Sequence, residues 1–275
     1  MTKLTLCRAI NQGESFEIIK ELIEQNGFNN PCENFCYPLH VLLHRGHPEI
    51  VKILKLLISK KVDLNVKSHY MQRTGLEILC DRTYSGCAKC FKMMLEHGAD
   101  PYDYHGVFKL FATPEIKEIL NTHYRLELLK EIKNRSHICE IKKVLDCIDD
   151  INHGFSSYNN PLFSLISSRH PDMYDIMKLL ITRGIGLNIF CNALSNRPLE
   201  MLMFSDNQVE LDCFELMLAN GADPMLCRSN LYVSANTKVR HILNEHRAKE
   251  NSRIKKLEEM VSNLGDLVNE LLVTD

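Results

Sequence analysis

Three cysteines and a histidine fall at C-x6-C-x2-C-x6-H in the stretch CDRTYSGCAKCFKMMLEHGADP (residues 80–101), as Cys80, Cys87, Cys90 and His97. Zinc takes thiolate and imidazole ligands that converge tetrahedrally, and C-x2-C is a common half of such a site. The same residues, if exposed as thiolates, would serve redox chemistry instead. Yet the stretch closes in Gly-Ala-Asp after an apolar helical run, which reads as a helix stop. Elsewhere the chain has no glycine-rich phosphate loop, no H-E-x-x-H and no G-x-S-x-G. Of its twelve histidines, His44, His47 and His170 stand at loop or helix-end positions. Acid pairs such as Glu258 and Glu259 lie on the outside of a final helix, where a solvated face explains them. No catalytic residue is expected.

Composition bounds the elements that would position such ligands. The 275 residues carry 45% hydrophobic and 25% charged side chains with a net charge of −2, the mix of a globular chain able to bury a sizeable core. No basic surplus points to nucleic acid. The longest apolar runs, such as IVKILKLLI (50–58), are broken by lysines and too short to span a bilayer. The opening MTKLTLCRAINQGESFEIIK turns charged too early for a signal peptide. Eleven scattered cysteines without an export signal read as free thiols in the cytoplasm, the nucleus remaining open, and Cys32 and Cys36 read as exposed thiols in a loop.

The chain repeats itself. PLHVLLHRGHPEIVKILKLLISKKVDLN (38–65) aligns without a gap on PLFSLISSRHPDMYDIMKLLITRGIGLN (161–188), an offset of 123 residues. The same shift pairs GADP 98–101 with GADP 221–224 and ILNTH 119–123 with ILNEH 242–246, and 35 of the 123 paired positions are identical. Within each copy a shorter period of 37 residues separates Pro38 from Gly75 and Pro161 from Pro198. Each unit starts at a turn-like dipeptide, runs through a short apolar helix, crosses a polar loop and enters a longer amphipathic helix. Ile50, Ile53, Leu54, Leu57 and Ile58 mark one buried face of such a helix. Short helices of this kind bury their apolar faces only by stacking on neighbours.

These residues resemble the ankyrin repeat family. YPLHVLLHRGHPEIVKILKLLI, LEILC…CFKMMLEHGADP, NPLFSLI…IMKLLITRG and LEMLM…CFELMLANGADP follow its Thr-Pro-Leu-His start, its Gly-His loop and its Val-x-x-Leu-Leu-x-x-Gly-Ala-Asp close. The resemblance covers residues 1–246 and implies an all-α helical-repeat solenoid with finger loops. It divides into a module at 1–123, its duplicate at 124–246, and a coiled-coil-like helix at 247–275. Residues 106–123 and 229–246 look like shortened closing repeats. Tyr37, Asn160 and Arg197 replace the family's threonine, and Glu77, Phe163 and Glu200 its histidine, so the bonds that tie each turn to its helix are expected to be rearranged.

The duplication also serves as an internal control on the cysteines. Cys90 pairs with Cys213, but Cys87 pairs with Glu210, Cys80 with Met203 and His97 with Asn220. The shared cysteine falls on a core-facing position, where a small thiol is ordinary packing material. No metal and no cofactor are expected, and zinc or redox sensing through Cys80, Cys87, Cys90 and His97 is the alternative.

After His246 the pattern changes. Ile254, Leu257, Val261, Leu264, Val268 and Leu271 alternate at spacings of 3 and 4, with β-branched residues at a and leucine at d. This favours self-association as a parallel pair, in which Arg253 at g faces Glu258 at e. Met260, Leu267 and Leu272 widen the stripe, as in a higher oligomer or a helix docked on its own chain.

The expected function is protein binding, as a scaffold or adaptor, with an effector of a virus or intracellular pathogen that sequesters a host factor as an alternative. Neither a membrane nor nucleic acid is an expected partner. The resemblance places the partner surface on the finger loops and first helices. There aromatic, histidine and arginine side chains are suited to anchor an interface: Tyr37, His69, Tyr70, Tyr102, Tyr104, Phe155, Tyr158 and Phe190 on fingers, and Val41, His44, Arg45, Asp81, Arg82, Ser164, Ser167 and Phe204 on first helices.

Overall fold

The computed structural model describes residues 5–28, 37–68, 72–155, 159–191, 195–228 and 235–273, except for the side chains of Asn26, Tyr104 and residues 265–273. His69, Tyr70, Tyr158, Cys32 and Cys36 lie outside the described residues. The chain is an all-α repeat structure in which two compact units are distinguished, residues 1–127 with 143–148, and residues 128–142 with 149–275.

In the first unit, α1 (Leu6–Gln12) packs on α2 (Phe16–Asn26), α3 (Pro38–Arg45) on α4 (Ile50–Ser59), and α5 (Gly75–Leu79) on α6 (Cys87–Glu96). The short helices α1, α3 and α5 stack in one row and the longer α2, α4 and α6 in another. A 3-10 turn (Tyr102–Tyr104), α7 (His105–Phe111) and α8 (Pro114–Lys133) follow; α8 runs unbroken through residues 121–126. After α9 (Ile138–Leu145), the second unit repeats the scheme with α10 (Pro161–Ser168) on α11 (Met173–Thr182) and α12 (Pro198–Leu202) on α13 (Gln208–Ala219). A last helix, α14 (Thr237–Val273), is 37 residues long and packs on α13.

The apolar periodicity is the core. Ile50, Ile53, Leu54 and Leu57 of α4 are buried, as are Cys90, Phe91 and Met94 of α6 and their duplicates Cys213, Phe214 and Met217 of α13. Burying one such large side chain contributes about 1.5–3 kcal/mol. The helices stop where expected: Gly98 and Gly221 take φ of 94° and 95°, a left-handed conformation open to glycine at no steric cost.

Polar side chains set the spacing between neighbouring repeats, and each copy uses the same device. His47 Nδ1 accepts the Glu49 N–H at 3.0 Å, so the ring proton sits on Nε2, which donates to the Glu14 carbonyl at 2.9 Å. His170 does the same toward Asp172 N–H and the Ser136 carbonyl. Asn65 Nδ2 donates to the Gly98 carbonyl and its Oδ1 accepts the Asp100 N–H, and Asn188 repeats this toward Gly221 and Asp223. Each bond contributes about 0.5–1.5 kcal/mol net.

The departures from the family pattern rearrange the turns. Glu77 accepts the Thr74 N–H at 2.7 Å while Thr74 Oγ1 accepts the Glu77 N–H, a reciprocal cap of α5. Glu200, also buried, accepts the Arg197 N–H at 2.6 Å and the Arg228 N–H at 2.9 Å. Two expectations need correction. Ser164 is buried inside α10 rather than exposed on it. Cys7 is disulfide-bonded, whereas the other described cysteines are free thiols.

Candidate protein-binding surface

The residues singled out for metal chemistry pack instead of converging. Cys80, Cys87 and Cys90 are buried, and Cys87 Sγ donates to the Leu79 carbonyl at 3.2 Å. His97, exposed at the end of α6, bonds through Nδ1 to the Met93 carbonyl. Among the described residues no group of three or more His, Cys, Asp and Glu side chains is arranged to hold a metal ion. Burial pushes the Cys87 and Cys90 thiols up to about 12 and about 11, and raises Cys80 as well, away from the reactive thiolate. Among the described cysteines, alkylation of the native chain with iodoacetamide is therefore expected first at the exposed Cys139. Cys80, Cys87, Cys90 and Cys213 should react only on unfolding, a difference that peptide mass spectrometry reads directly.

The first helices of the first unit carry a basic cluster. His44 and Arg45 are exposed in the last turn of α3, after the buried Leu42 and Leu43 have fixed which face of the helix is free. Asp81 and Arg82 follow α5 and form an ion pair at 3.6 Å. Arg73, which precedes the Thr74 cap, donates from Nη2 to the Glu77 carbonyl at 2.7 Å. These cations surround His44: burial first, then the Arg82, Arg45 and Arg73 charges hold its imidazole below the ordinary value of 6.5, with Asp81 opposing. The duplicate has lost this character. Ser167, Ser168, Asn196, Phe204 and Ser205 stand in place of His44, Arg45, Arg73, Asp81 and Arg82. Arg73 was not among the expected site residues; its exchange for Asn196 in the copy is the signal that marks it.

The remaining candidates separate by packing. Val41 is half-buried on α3 beside this cluster. Tyr37 lies with its ring 5.7 Å from that of His40, and Tyr102 packs on the buried Tyr124 at 5.5 Å with the Lys143 amine 4.5 Å from its ring centre. Both serve turn packing. Tyr104 belongs to the same 3-10 turn. In the second unit Phe155 is half-buried, Phe190 is 43% exposed with the Arg197 guanidinium over its ring, and Phe204 is 50% exposed.

The α14 helix divides in two. Val239 and Leu243 are buried, whereas every residue from Asn251 to Leu264 is exposed, including Ile254, Leu257, Val261 and Leu264. Those four therefore stand exposed rather than buried against the described residues of their own chain. Val268 and Leu271 continue the helix beyond the described side chains. Among the described residues no helix is long and apolar enough to cross a membrane.

A family model for ankyrin repeats (3 copies) matches residues 6–104. Among solved structures, the ankyrin repeat domain of human ASB11 is similar at 19% identity over 89% of this chain and 98% of that one, with a TM-score of 0.34. The ankyrin repeat domain of Bcl-3, described as a unique member of the IkappaB protein family, is similar at 17% identity over 88% and 99%, also with a TM-score of 0.34. No curated protein matches the chain. The matched residues 6–104 hold the stacked pairs from α1 to α6, and this segment of the chain matches three ankyrin repeats.

Proposed function

We propose that this protein is a non-catalytic adaptor that binds an acidic segment of a partner protein on the basic face formed by Arg45, Arg73 and Arg82 around His44. Ankyrin repeats are in general protein–protein interaction modules. The observation that carries the reading is the contrast between the copies: core positions and inter-repeat bonds are kept, while His44, Arg45, Arg73, Asp81 and Arg82 of this surface are replaced by Ser167, Ser168, Asn196, Phe204 and Ser205 in the second. Arginine is the cation best suited to such a face, because its planar fork pairs with carboxylates in a fixed geometry. A sequestering effector would use the same surface. The two duplicated segments, 1–123 and 124–246, are taken as its modules. The free thiols support a cytoplasmic setting, and the disulfide of Cys7 stands against it.

The exposed seam of α14 supports self-association as a second element of the proposal. Its apolar a and d positions face water in the single chain, and a second copy of the helix offers the matching surface.

Capture of partners from the native cell by the full chain tests the main reading. The Arg45→Glu/Arg82→Glu variant reverses charge at exposed and half-exposed positions and leaves the core intact. It should retain the wild-type unfolding midpoint and lose partner capture by about tenfold or more. Undiminished capture by a folded variant would refute binding at this face.

A further inference from the structure

Two joints hold the edge of the first unit that carries the basic face. Tyr84, from the loop between α5 and α6, lays its ring against Gly46 and donates its hydroxyl to the Leu43 carbonyl at 2.7 Å. The end of α3 with Arg45 is thereby kept beside the loop that carries Arg82. A Cβ on residue 46 would lie 2.7 Å from the ring, so the glycine is what admits the tyrosine. At the next helix, the Thr113 N–H donates to the Cys80 carbonyl at 3.0 Å, which sets the end of α7 next to Asp81 and Arg82. The duplicate keeps the second joint, from the Asn236 N–H to the Met203 carbonyl at 3.4 Å. It lacks the residues of the first, with Asn207 for Tyr84 and Arg169 for Gly46.

What α7 brings to this edge is apolar. Phe108 is buried with its ring edge-on to that of Phe91 at 5.8 Å, and Ala112, one turn on, is buried as well. With those two positions turned to the core, Leu110 and Phe111 are left 75% and 62% exposed. Among the described residues of the first unit they are the only exposed large apolar side chains that neighbour one another. Single exposed apolar residues are ordinary, whereas contiguous ones rimmed by polar groups mark binding surfaces. In the duplicate, Ser234 replaces Phe111 and Val233 replaces Leu110, so the aromatic ring is lost together with the arginines. Helices packed side by side lie about 8–10 Å apart. About three residues of extended chain, at about 3.3 Å each, cover that step. A segment whose carboxylates pair with Arg45 and Arg82 therefore reaches Leu110 and Phe111 about three residues from its last acid.

We propose that the acidic partner segment also carries a bulky apolar side chain about three residues from its acids, and that this side chain seats on Leu110 and Phe111. The inference rests on the basic-face reading and deepens it, since it states the sequence chemistry of the partner. The probes are fluorescein-labelled peptides titrated into the full chain and followed by anisotropy. One is Glu-Glu-Glu-Ser-Ser-Leu-Ser and another its reverse order. Each is paired with a version that has Ser for Leu and a version that has Gln for Glu. In one of the two orders the Leu peptide should bind about tenfold tighter than its Ser version. The Leu110→Ser/Phe111→Ser variant changes exposed side chains only, so its fold is kept, and it should remove that advantage while retaining the preference for Glu over Gln. Arg45→Glu/Arg82→Glu should remove the preference for Glu. Leu and Ser peptides bound alike in both orders, or a Leu advantage that survives in the Leu110→Ser/Phe111→Ser variant, would overturn the inference and leave the basic face standing. Glu and Gln peptides bound alike by the native chain would refute the basic face, and the inference with it.

Discussion

Phe214→Ala is expected to destabilise the second unit by about 3–5 kcal/mol. The ring is fully buried in α13, between Cys213 and the turn that carries Met217 and Leu218. This helix packs on α11, α12 and α14, so one side chain supports several contacts. A stacked repeat holds each element through its neighbours alone, and a cavity there weakens the interfaces on either side as well as the repeat itself. The loss is a large share of the roughly 5–15 kcal/mol that stabilises a typical domain. Urea unfolding followed by circular dichroism should show a midpoint well below that of the native chain. Glu215→Ala, an exposed neighbour on the same helix, should stay within about 0.5 kcal/mol. A small effect of Phe214→Ala would mean that the duplicated apolar register is not the core.

Under the proposed self-association through α14, Val261→Asp together with Leu264→Asp is expected to leave only single chains. Both side chains are more than half exposed in the isolated chain, so folding of the repeats does not depend on them. Helices without tertiary support are marginal in water, and Gly265 inside this one costs about 1 kcal/mol relative to alanine. A long helix with a bare apolar stripe and a glycine in its interior gains most from a partner helix laid along that stripe. Two aspartates at adjacent a and d positions would bury unpaired charges in such a seam. Light scattering should give a multiple of 31.7 kDa for the native chain and 31.7 kDa for the variant. A native chain already at the single-chain mass over micromolar concentrations would refute self-association through α14.

The stack could be read from residues because its core is periodic and written twice. Cys90, Phe91 and Met94 recur as Cys213, Phe214 and Met217 in the same register, and both triplets are buried. Cys80, Cys87 and His97 differ between the copies; Cys80 and Cys87 are buried, and among the described residues the three do not form a ligand set. The turns were less readable. Glu77 and Glu200 stand where the family has histidine, and only the folded geometry brings each carboxylate to the N–H three residues before it. Surface roles were hardest to read, because they depend on neighbours from other repeats. Tyr102 looks like an interface tyrosine until Tyr124 and Lys143 fold against it. Arg73 looks like a loop residue until its charge acts on His44 together with those of Arg45 and Arg82. Tyr84 carried no signal at all in one copy; its meaning lies in the contact with Gly46 and its replacement, with that glycine, in the other.

Amide hydrogen exchange of the full chain, free and saturated with a captured partner, tests most directly whether this protein binds through the basic face of its first unit. Protection is predicted in the last turn of α3 and in the residues flanking α5, from Arg73 to Arg82, with α4 and α6 unchanged. Protection confined to the outer helices α4 and α6, or to the second unit, would contradict it.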